Sequence, residues 1–196
     1  MIEQKKIGLF FGSFNPIHKG HTNLATYIRE ILSFQEIWFV VSPQNPLKEN
    51  DLLCDTLRLR MVEIAIKEDE NFYACDVEFD LPKPNYTVKT LQFLREKYPN
   101  FDFSLIIGAD NLQIFTKWYQ WATILSHHTL IVYPRDGIDF EHLKKIYPQA
   151  VFLDKAPQFL ISATQIRQHI DEKDFVSKWL HEEVYKFIKN NKLYYK

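Results

Sequence analysis

Short runs of apolar residues alternate along this chain with longer stretches in which apolar positions recur every three or four residues. A continuous apolar run of ~4–8 residues is typical of a strand buried on both faces, and the wider spacing is typical of an amphipathic helix. The runs, with one alternating segment at 72–79, predict strands at residues 7–11, 37–41, 72–79, 103–107, 129–133 and 150–153. The periodic stretches predict helices at residues 22–32, 87–98, 118–125, 140–146, 162–170 and 175–188.

One more helix is predicted after Asp55, which we interpret as its N-cap. Leu59, Val62, Ala65 and Ile66 share one face of that helix and are expected to be buried. Strands and helices therefore alternate through most of the chain. This order favours a parallel sheet, because parallel strands need crossover connections that are usually helical.

We therefore expect an α/β fold in a single domain over residues 1–196. Its core would be a Rossmann-like, doubly wound parallel sheet with helices on both faces and further helices at the C-terminal end. Ligands bind such sheets beyond the carboxyl ends of the strands, where the strand order reverses. Candidate binding residues are therefore those that follow a predicted strand or begin the next helix.

The composition narrows the classes of function. The net charge is −1 at pH 7, which does not favour a nucleic-acid partner, since such partners usually bind clustered Lys and Arg. Cys54 and Cys75 form no CxxC pair, so we expect reduced thiols in a cytoplasmic protein. No window is apolar enough for a secretion signal or a membrane span, so no membrane partner is expected. The sequence leaves the oligomeric state open, a homo-oligomer included.

A candidate phosphate-binding turn follows the first predicted strand. The segment contains Gly12, Ser13, Phe14, His18, Gly20 and His21. Glycine permits a sharp turn and a close approach of the backbone to a ligand, and we place His21 at the start of the next helix. A helix N-terminus offers unpaired N–H groups to an anion, and imidazoles can donate to phosphate oxygens. The alternatives are two surface histidines after an ordinary turn and a metal site, for which no third ligand lies nearby in the sequence.

A second candidate segment lies near the C-terminal end, at residues 161–167. Ser162 is a good helix N-cap, and Thr164 falls in the first turn. Arg167 lies about one turn further and could reach a phosphate bound at the start of this helix. A capped surface helix would explain Ser162 without any ligand, but it gives Arg167 no role.

These two segments resemble the signatures of the HxGH nucleotidyltransferase superfamily, whose members transfer nucleotidyl groups. The second resembles ISSTxIR, with Ala163 in place of the second serine. The resemblance implies that the two segments hold a triphosphate from opposite sides and that transfer proceeds without a covalent enzyme intermediate. The implied ATP-binding residues are Gly12, Ser13, Phe14, His18, Gly20, His21, Ser162, Thr164 and Arg167. Asp110 follows a predicted strand and is placed to accept hydrogen bonds from ribose hydroxyls.

Further segments, along nearly the whole chain, resemble the nicotinate-nucleotide adenylyltransferases of NAD biosynthesis. The resemblance implies a mononucleotide site that contains Asn45, Lys48, Tyr86, Thr87, Trp118 and Tyr119. Trp118 would stack on the nicotinate ring, and N–H groups at the helix start near Thr87 would meet its carboxylate. Residues 133–135 resemble a segment near the adenine. Without the resemblance, Lys48 is a solvated lysine, Thr87 an ordinary helix start and Trp118 a core residue, as we still interpret Trp121.

The chain also departs from the family pattern in three places. Phe11 stands where many members have a second glycine, and Asn15 stands in place of a common aspartate. Residues 82–84, Pro-Lys-Pro, replace a glycine-containing approach to the segment of Tyr86 and Thr87. These departures affect the detailed backbone contacts and leave the expected reaction class standing.

The expected activity is that of an adenylyltransferase that joins ATP and nicotinate mononucleotide to give deamido-NAD and pyrophosphate. The predicted catalytic residues are His18, His21, Lys48 and Arg167, which would neutralise the charge that develops on phosphate oxygens. Mg²⁺ is the expected cofactor, bound mainly through the ATP phosphates and with no metal site on the protein. Three alternatives remain: the same chemistry on nicotinamide mononucleotide, phosphopantetheine adenylyltransferase activity, which leaves Thr87 and Trp118 without a role, and a non-catalytic nucleotide-binding protein.

Overall fold

The structure is a computed structural model that describes residues 4–43 and 52–195. The strands in these residues are Lys5–Gly12 (β1), Glu36–Val41 (β2), Phe72–Cys75 (β3), Phe101–Gly108 (β4), Leu130–Tyr133 (β5) and Val151–Phe152 (β6). The α-helices are Lys19–Leu32 (α1), Asp55–Ile66 (α2), Thr87–Lys97 (α3), Ala109–Gln113 (α4), Trp121–His127 (α5), Phe140–Ile146 (α6), Ala163–Gln168 (α7), Lys173–Trp179 (α8) and Glu182–Asn190 (α9). A short 3₁₀ helix spans Phe115–Lys117.

All the strand pairs are parallel, and the strand order is β3-β2-β1-β4-β5-β6. The chain first builds outward from β1 to β3 and then returns to place β4 on the other side of β1. The order therefore reverses between β1 and β4, which is where doubly wound sheets bind nucleotides. The Rossmann-like parallel sheet predicted from the sequence is confirmed.

Successive residues of each central strand point to opposite faces of the sheet, and each face is covered by helices. Leu9 and Trp38 belong to the core cluster that contains buried residues of α3 to α6. Phe10 and Phe39 belong to the other cluster, with buried residues of α1, α2 and α7 to α9. Burial on both faces explains why these strands appear in the sequence as nearly continuous apolar runs.

Three predicted elements are wrong in extent. The strand predicted at residues 72–79 ends at Cys75, because the next residues form a turn in which the Phe79 N–H donates to the Asp76 carbonyl. The helix predicted at 118–125 is displaced: Trp118 is extended, Gln120 is left-handed with φ of 51°, and α5 begins only at Trp121. The predicted helix at 175–188 is two helices, α8 and α9, interrupted where Leu180 adopts an extended backbone.

Two helix starts also differ from the prediction. Cys54, not Asp55, occupies the N-cap position of α2. The buried face of α2 contains Arg58 and Met61, whereas Leu59 is only partly buried. Helix α1 begins at Lys19, so the residue that precedes it, His18, is its N-cap and His21 lies within its first turn.

Candidate active site

The two central strands end side by side, and each ends in a glycine. Phe10 of β1 pairs with Ile106 of β4, and two residues later the strands end at Gly12 and Gly108. A Cβ atom on Gly12 would lie 2.8 Å from the Phe14 ring, and one on Gly108 would lie 2.3 Å from Oδ1 of Asp110. Both turns therefore fold back so closely that a side chain at either glycine would collide with its neighbour.

The predicted histidine pair lies directly beyond this edge of the sheet. The two imidazole rings stack, with 3.7 Å between ring centroids. The backbone N–H of His18 donates to Nδ1 of His21 across 3.3 Å. Nδ1 of His21 must be unprotonated to accept this bond, so the neutral ring carries its proton on Nε2 and can donate it to a ligand.

The surroundings keep both imidazoles neutral at pH 7. Burial, with smaller contributions from the neighbouring Arg135 and His181, lowers the pKa of His18 to about 4. The pKa of His21 is also well below its ordinary value, first because of burial and then because of His18 and Arg135. Nδ1 of His18 is buried and has no hydrogen-bond partner among the described residues. The pair can therefore act as hydrogen-bond donors or acceptors without adding charge.

Gly20 leaves room for this arrangement. A Cβ atom at Gly20 would lie 3.0 Å from both Cε1 and Nδ1 of His18, and 3.1 Å from Cβ of Phe159. Such contacts are tighter than ordinary van der Waals packing, so a larger residue would have to displace the His18 ring. The glycine of the HxGH segment is thus required by the packing of the histidine pair.

Arg135 lies in the segment 133–135 that resembles one near the adenine, but the sequence did not predict it among the phosphate-binding residues. Its Nε lies 3.6 Å from Oδ1 of Asp110, and its Nη2 donates to the Tyr133 hydroxyl across 3.2 Å. The guanidinium is close enough to His18 and His21 to lower the pKa of both. Its position directly after β5, at the same edge of the sheet, is the signal that could have identified it.

The second predicted segment packs against the first. Ser162 is the N-cap of α7 and accepts a hydrogen bond from the Gln165 N–H across 3.2 Å, as predicted. Arg167 donates from Nη1 to the Asn15 carbonyl across 2.8 Å and from Nη2 to Oγ1 of Thr164 across 3.3 Å. The fold therefore brings Arg167 to the phosphate turn, although 152 positions separate it from Asn15 in the sequence.

The structure brings together only part of the predicted mononucleotide site among the described residues. The rings of Tyr86 and Tyr119 lie 4.6 Å apart, which joins the start of α3 to the aromatic segment. Thr87 is the first residue of α3, and the side chain of its N-cap, Tyr86, makes no capping hydrogen bond. Trp118 instead packs on Phe115, with 5.3 Å between ring centroids. Asn45 and Lys48, the remaining predicted residues, lie outside the described residues.

A buried polar contact joins the first turns of α3 to the segment that precedes the helix. Oε1 of Glu78 accepts a hydrogen bond from the Thr90 hydroxyl across 2.7 Å, and the Glu78 carbonyl accepts one from the Asn85 side chain across 2.8 Å. Burial raises the pKa of Glu78, although the hydrogen bonds from Thr90 and Ser42 oppose that rise. No pattern in the sequence indicates this contact.

Comparison with known proteins identifies the family. The model of the cytidylyltransferase-like family matches residues 9–169. A protein of Bacteroides thetaiotaomicron named probable nicotinate-nucleotide adenylyltransferase is 48% identical over 94% of this chain and 91% of its own length. The protein of the same name from Flavobacterium psychrophilum is 43% identical over 97% of this chain and 100% of its own. The chain belongs to the nicotinate-nucleotide adenylyltransferases. It is thus a nucleotidyltransferase, and the family predicted from the segments along nearly the whole chain is confirmed.

A solved adenylyltransferase structure shares the fold. The nicotinic acid mononucleotide adenylyltransferase of Plasmodium falciparum, complexed with NaAD, superposes with a TM-score of 0.81 over 97% of both chains. Its sequence identity to this adenylyltransferase is only 20%, so the likeness concerns the fold. The doubly wound sheet and the helices that follow it thus recur at low identity.

Two structural features are absent from the described residues. Within residues 4–43 and 52–195, no group of three or more His, Cys, Asp or Glu side chains is arranged to hold a metal ion. No helix in the same part of the adenylyltransferase is long and apolar enough to cross a membrane.

Proposed function

We propose that the protein transfers the adenylyl group of ATP to nicotinate mononucleotide, giving deamido-NAD and pyrophosphate. The observation that carries the proposal is that two differently built groups follow strands of the same parallel sheet, beyond their carboxyl ends. The histidine pair, Arg167 and the phosphate turn suit a triphosphate. The Tyr86–Tyr119 pair and the start of α3 suit a flat, anionic ring. The names of the relatives and the NaAD bound to the P. falciparum enzyme support the same pair of substrates.

On the ATP side, the substrate is the Mg²⁺ complex of ATP, whose metal is bound through the phosphates and water. Nε2–H of the neutral His21 donates to a phosphate oxygen, and Ser13 and Phe14 supply backbone N–H groups, while Gly12 permits the close approach of the backbone. Arg167 supplies positive charge from the opposite side, together with the Thr164 and Ser162 hydroxyls. We add Arg135 to this set, since its charge lowers the pKa of both histidines and its Nε lies 3.6 Å from Oδ1 of Asp110.

The reaction is a direct displacement at the α-phosphorus. An oxygen of the mononucleotide 5′-phosphate forms the new O–P bond while the bond from the α-phosphorus to the bridging oxygen breaks, and pyrophosphate leaves with the electron pair. No general base is required, because a phosphate monoester with a second pKa near ~6 is already ionised at pH 7. The protein contributes alignment and stabilisation of the charge on the leaving group, and Lys48 is proposed to share that role.

The acceptor carboxylate distinguishes nicotinate from nicotinamide mononucleotide. N–H groups at the start of α3, beside Thr87, are donors and favour a carboxylate over an amide, whose NH₂ group would face them. Charge-assisted hydrogen bonds of this kind correspond to a preference of about tenfold or more. Pyrophosphate release should therefore be measured with each mononucleotide at fixed Mg-ATP. Preference for the amide would overturn the acceptor, and no release with any mononucleotide would indicate a nucleotide-binding protein without this activity.

A matched pair of tryptophan variants tests the ring-binding role. Trp118→Ala should raise KM for the mononucleotide about tenfold, because stacking on the nicotinate ring is lost, and should leave KM for ATP nearly unchanged. Trp121→Ala is the control, because Trp121 also packs on Phe115, with 6.2 Å between ring centroids, but has no assigned ligand. Equal effects of the two variants on the mononucleotide KM would remove Trp118 from the site.

A further inference from the structure

A fully buried arginine lies beneath the phosphate turn. Arg58, in the second turn of α2, has a relative exposure of 0%. Its Nε donates to the Leu53 carbonyl across 2.9 Å, and its Nη2 to the Pro43 carbonyl across 3.0 Å. Its Nη1 donates to the carbonyls of Ser13, across 2.6 Å, and Ser42, across 2.8 Å. One guanidinium thus joins the β1–α1 turn, the end of β2 and the residue before the α2 N-cap.

Packing alone does not explain a charged group at this position. Met61 lies three residues further along α2, is equally buried and belongs to the same side of the sheet. An apolar side chain is therefore accommodated on this face, and burying a guanidinium in its place is costly unless its donors are satisfied. Burial lowers the pKa of Arg58, but a guanidinium remains charged at pH 7. What Arg58 adds over an apolar residue is a set of fixed hydrogen bonds to loop carbonyls.

The bond to Ser13 determines the direction of a peptide group in the phosphate turn. In a planar trans peptide the C=O and the following N–H point in opposite directions. Because the Ser13 carbonyl points at Arg58, the Phe14 N–H points away from α2. That N–H has no hydrogen-bond acceptor among the described residues. Phe14 itself adopts φ of 44°, a left-handed conformation that bulky residues rarely adopt without support from their surroundings.

The same peptide also orients the histidine pair. The Phe14 ring stands edge-on to the His21 ring, with 5.2 Å between centroids. A change in the Ser13–Phe14 peptide would therefore move both a free N–H donor and the surface against which His21 rests. The hydrogen bonds of Arg58 to the described residues all go to backbone carbonyls, so its effect on the N–H and on His21 is transmitted through the backbone.

We propose that Arg58 is the positioning residue of the triphosphate site. By holding the Ser13 carbonyl, it keeps the Phe14 N–H turned toward the triphosphate and the His21 ring in place. The inference rests on the proposed function only in that the ligand is a nucleoside triphosphate. It does not depend on which mononucleotide is the acceptor.

The test compares Arg58→Lys with Met61→Ala, a variant in the same helix that loses buried contacts but no hydrogen bond to the turn. A lysine keeps the charge but cannot bond four carbonyls in the fixed plane of a guanidinium. Binding of the Mg²⁺ complex of α,β-methylene-ATP is measured by calorimetry below both unfolding midpoints. We expect Arg58→Lys to raise Kd about tenfold or more, and Met61→Ala to change it by less than about twofold even at an equal loss of thermal stability.

A direct readout on the wild-type chain accompanies the variants. The ¹⁵N–¹H resonance of Phe14 should shift when the ATP analogue is added, and this shift should be lost in Arg58→Lys but kept in Met61→Ala. An unchanged Phe14 resonance in the wild type overturns the inference, even if Arg58→Lys fails to fold. A Kd in Arg58→Lys equal to that of the wild type or of Met61→Ala also overturns it. If the wild type binds the analogue but does not use nicotinate mononucleotide, the proposed acceptor fails and the role of Arg58 stands.

Discussion

The buried ring of His18 makes the free energy of unfolding depend on pH. In the folded protein its pKa is lowered from 6.5 to about 4, mainly by burial. Above ~pH 6.5 neither state binds the proton, so the stabilisation is fully present. As the pH falls through that value the unfolded chain takes up a proton that the folded chain does not, and stability is lost until the folded ring is also protonated near pH 4.

The size of the effect follows from the two pKa values. At ~1.4 kcal/mol for each pKa unit, the interval from 6.5 to about 4 corresponds to about 3 kcal/mol of unfolding free energy. About 2 kcal/mol of this develops between ~pH 7 and ~pH 4.5. No discount for solvent is needed, since His18 is only 5% exposed. Loss of His18 also relieves His21 of a neighbour that lowers its pKa, so removal of one ring weakens the pH dependence of both.

Urea unfolding at these two pH values measures the effect. The wild type should lose about 2 kcal/mol more stability on acidification than His18→Gln, whatever the difference between the two proteins at pH 7. His142→Gln is the control, because it removes a solvent-exposed imidazole. It should follow the wild type. If His18→Gln loses as much stability as the wild type between the two pH values, the conclusion that the buried His18 ring is neutral is wrong.

Three further predictions concern the same group of residues. Gly20→Ala should lower kcat/KM about tenfold by displacing the His18 ring, while the unfolding free energy changes by less than about 1 kcal/mol because the helix propensity of alanine offsets the tight contacts. Unchanged activity would mean that the ring can shift without cost. Tyr194→Phe removes the hydroxyl that donates to Oδ1 of Asn15 across 2.7 Å, and chemical denaturation should report a loss of about 1 kcal/mol, whereas an unchanged midpoint would contradict that bond. Binding of the ATP analogue near ~pH 5 should be accompanied by proton uptake, because the phosphate charge raises the pKa of His18. The uptake would appear as a calorimetric binding enthalpy that depends on the buffer, and identical enthalpies in all buffers would show that the ring stays neutral.

The sheet could be predicted because the burial of each strand shows in the residues of that strand alone. A strand buried on both faces must be apolar at every position, and residues 7–11 and 37–41 satisfy this condition without reference to the rest of the chain. The order of strands and helices then restricts the topology to crossovers of one hand. The position of the site follows, because ligands bind beyond the carboxyl ends of the strands at the point where the strand order reverses.

The spacing of apolar residues gave a wrong prediction where the backbone leaves the helical conformation but the apolar spacing continues unchanged. Val176, Leu180, Val184 and Ile188 recur at intervals of four and are all buried, as one continuous helix would require. The chain nevertheless leaves the helix at Leu180, and the break brings Nε2 of His181 to 3.0 Å from the Thr22 hydroxyl. A tertiary contact of this kind leaves no mark on the spacing of apolar residues.

Arg58 shows a second limit, which is set by residue type. Hydrophobic patterns assign charged residues to the solvent side of a helix, and the predicted inward face of α2 therefore omitted it. Its burial depends on hydrogen bonds to backbone carbonyls of the β1–α1 and β2–α2 loops. Every residue type carries the same backbone carbonyl, so these acceptors have no sequence pattern. A buried arginine that binds only backbone groups therefore cannot be recognised by a complementary acidic residue.

Asn15 shows why the two halves of the triphosphate site form one unit. Its carbonyl accepts from Arg167 and its Oδ1 accepts from Tyr194, so α7 and the C-terminal segment both close on the phosphate turn. Asn15 stands where the family resemblance implies an aspartate. An amide oxygen accepts the Tyr194 hydroxyl as a carboxylate would, but without placing a negative charge in a buried position next to the expected triphosphate. The departure therefore keeps the hydrogen bond that closes the site and reduces the repulsion that its ligand would meet.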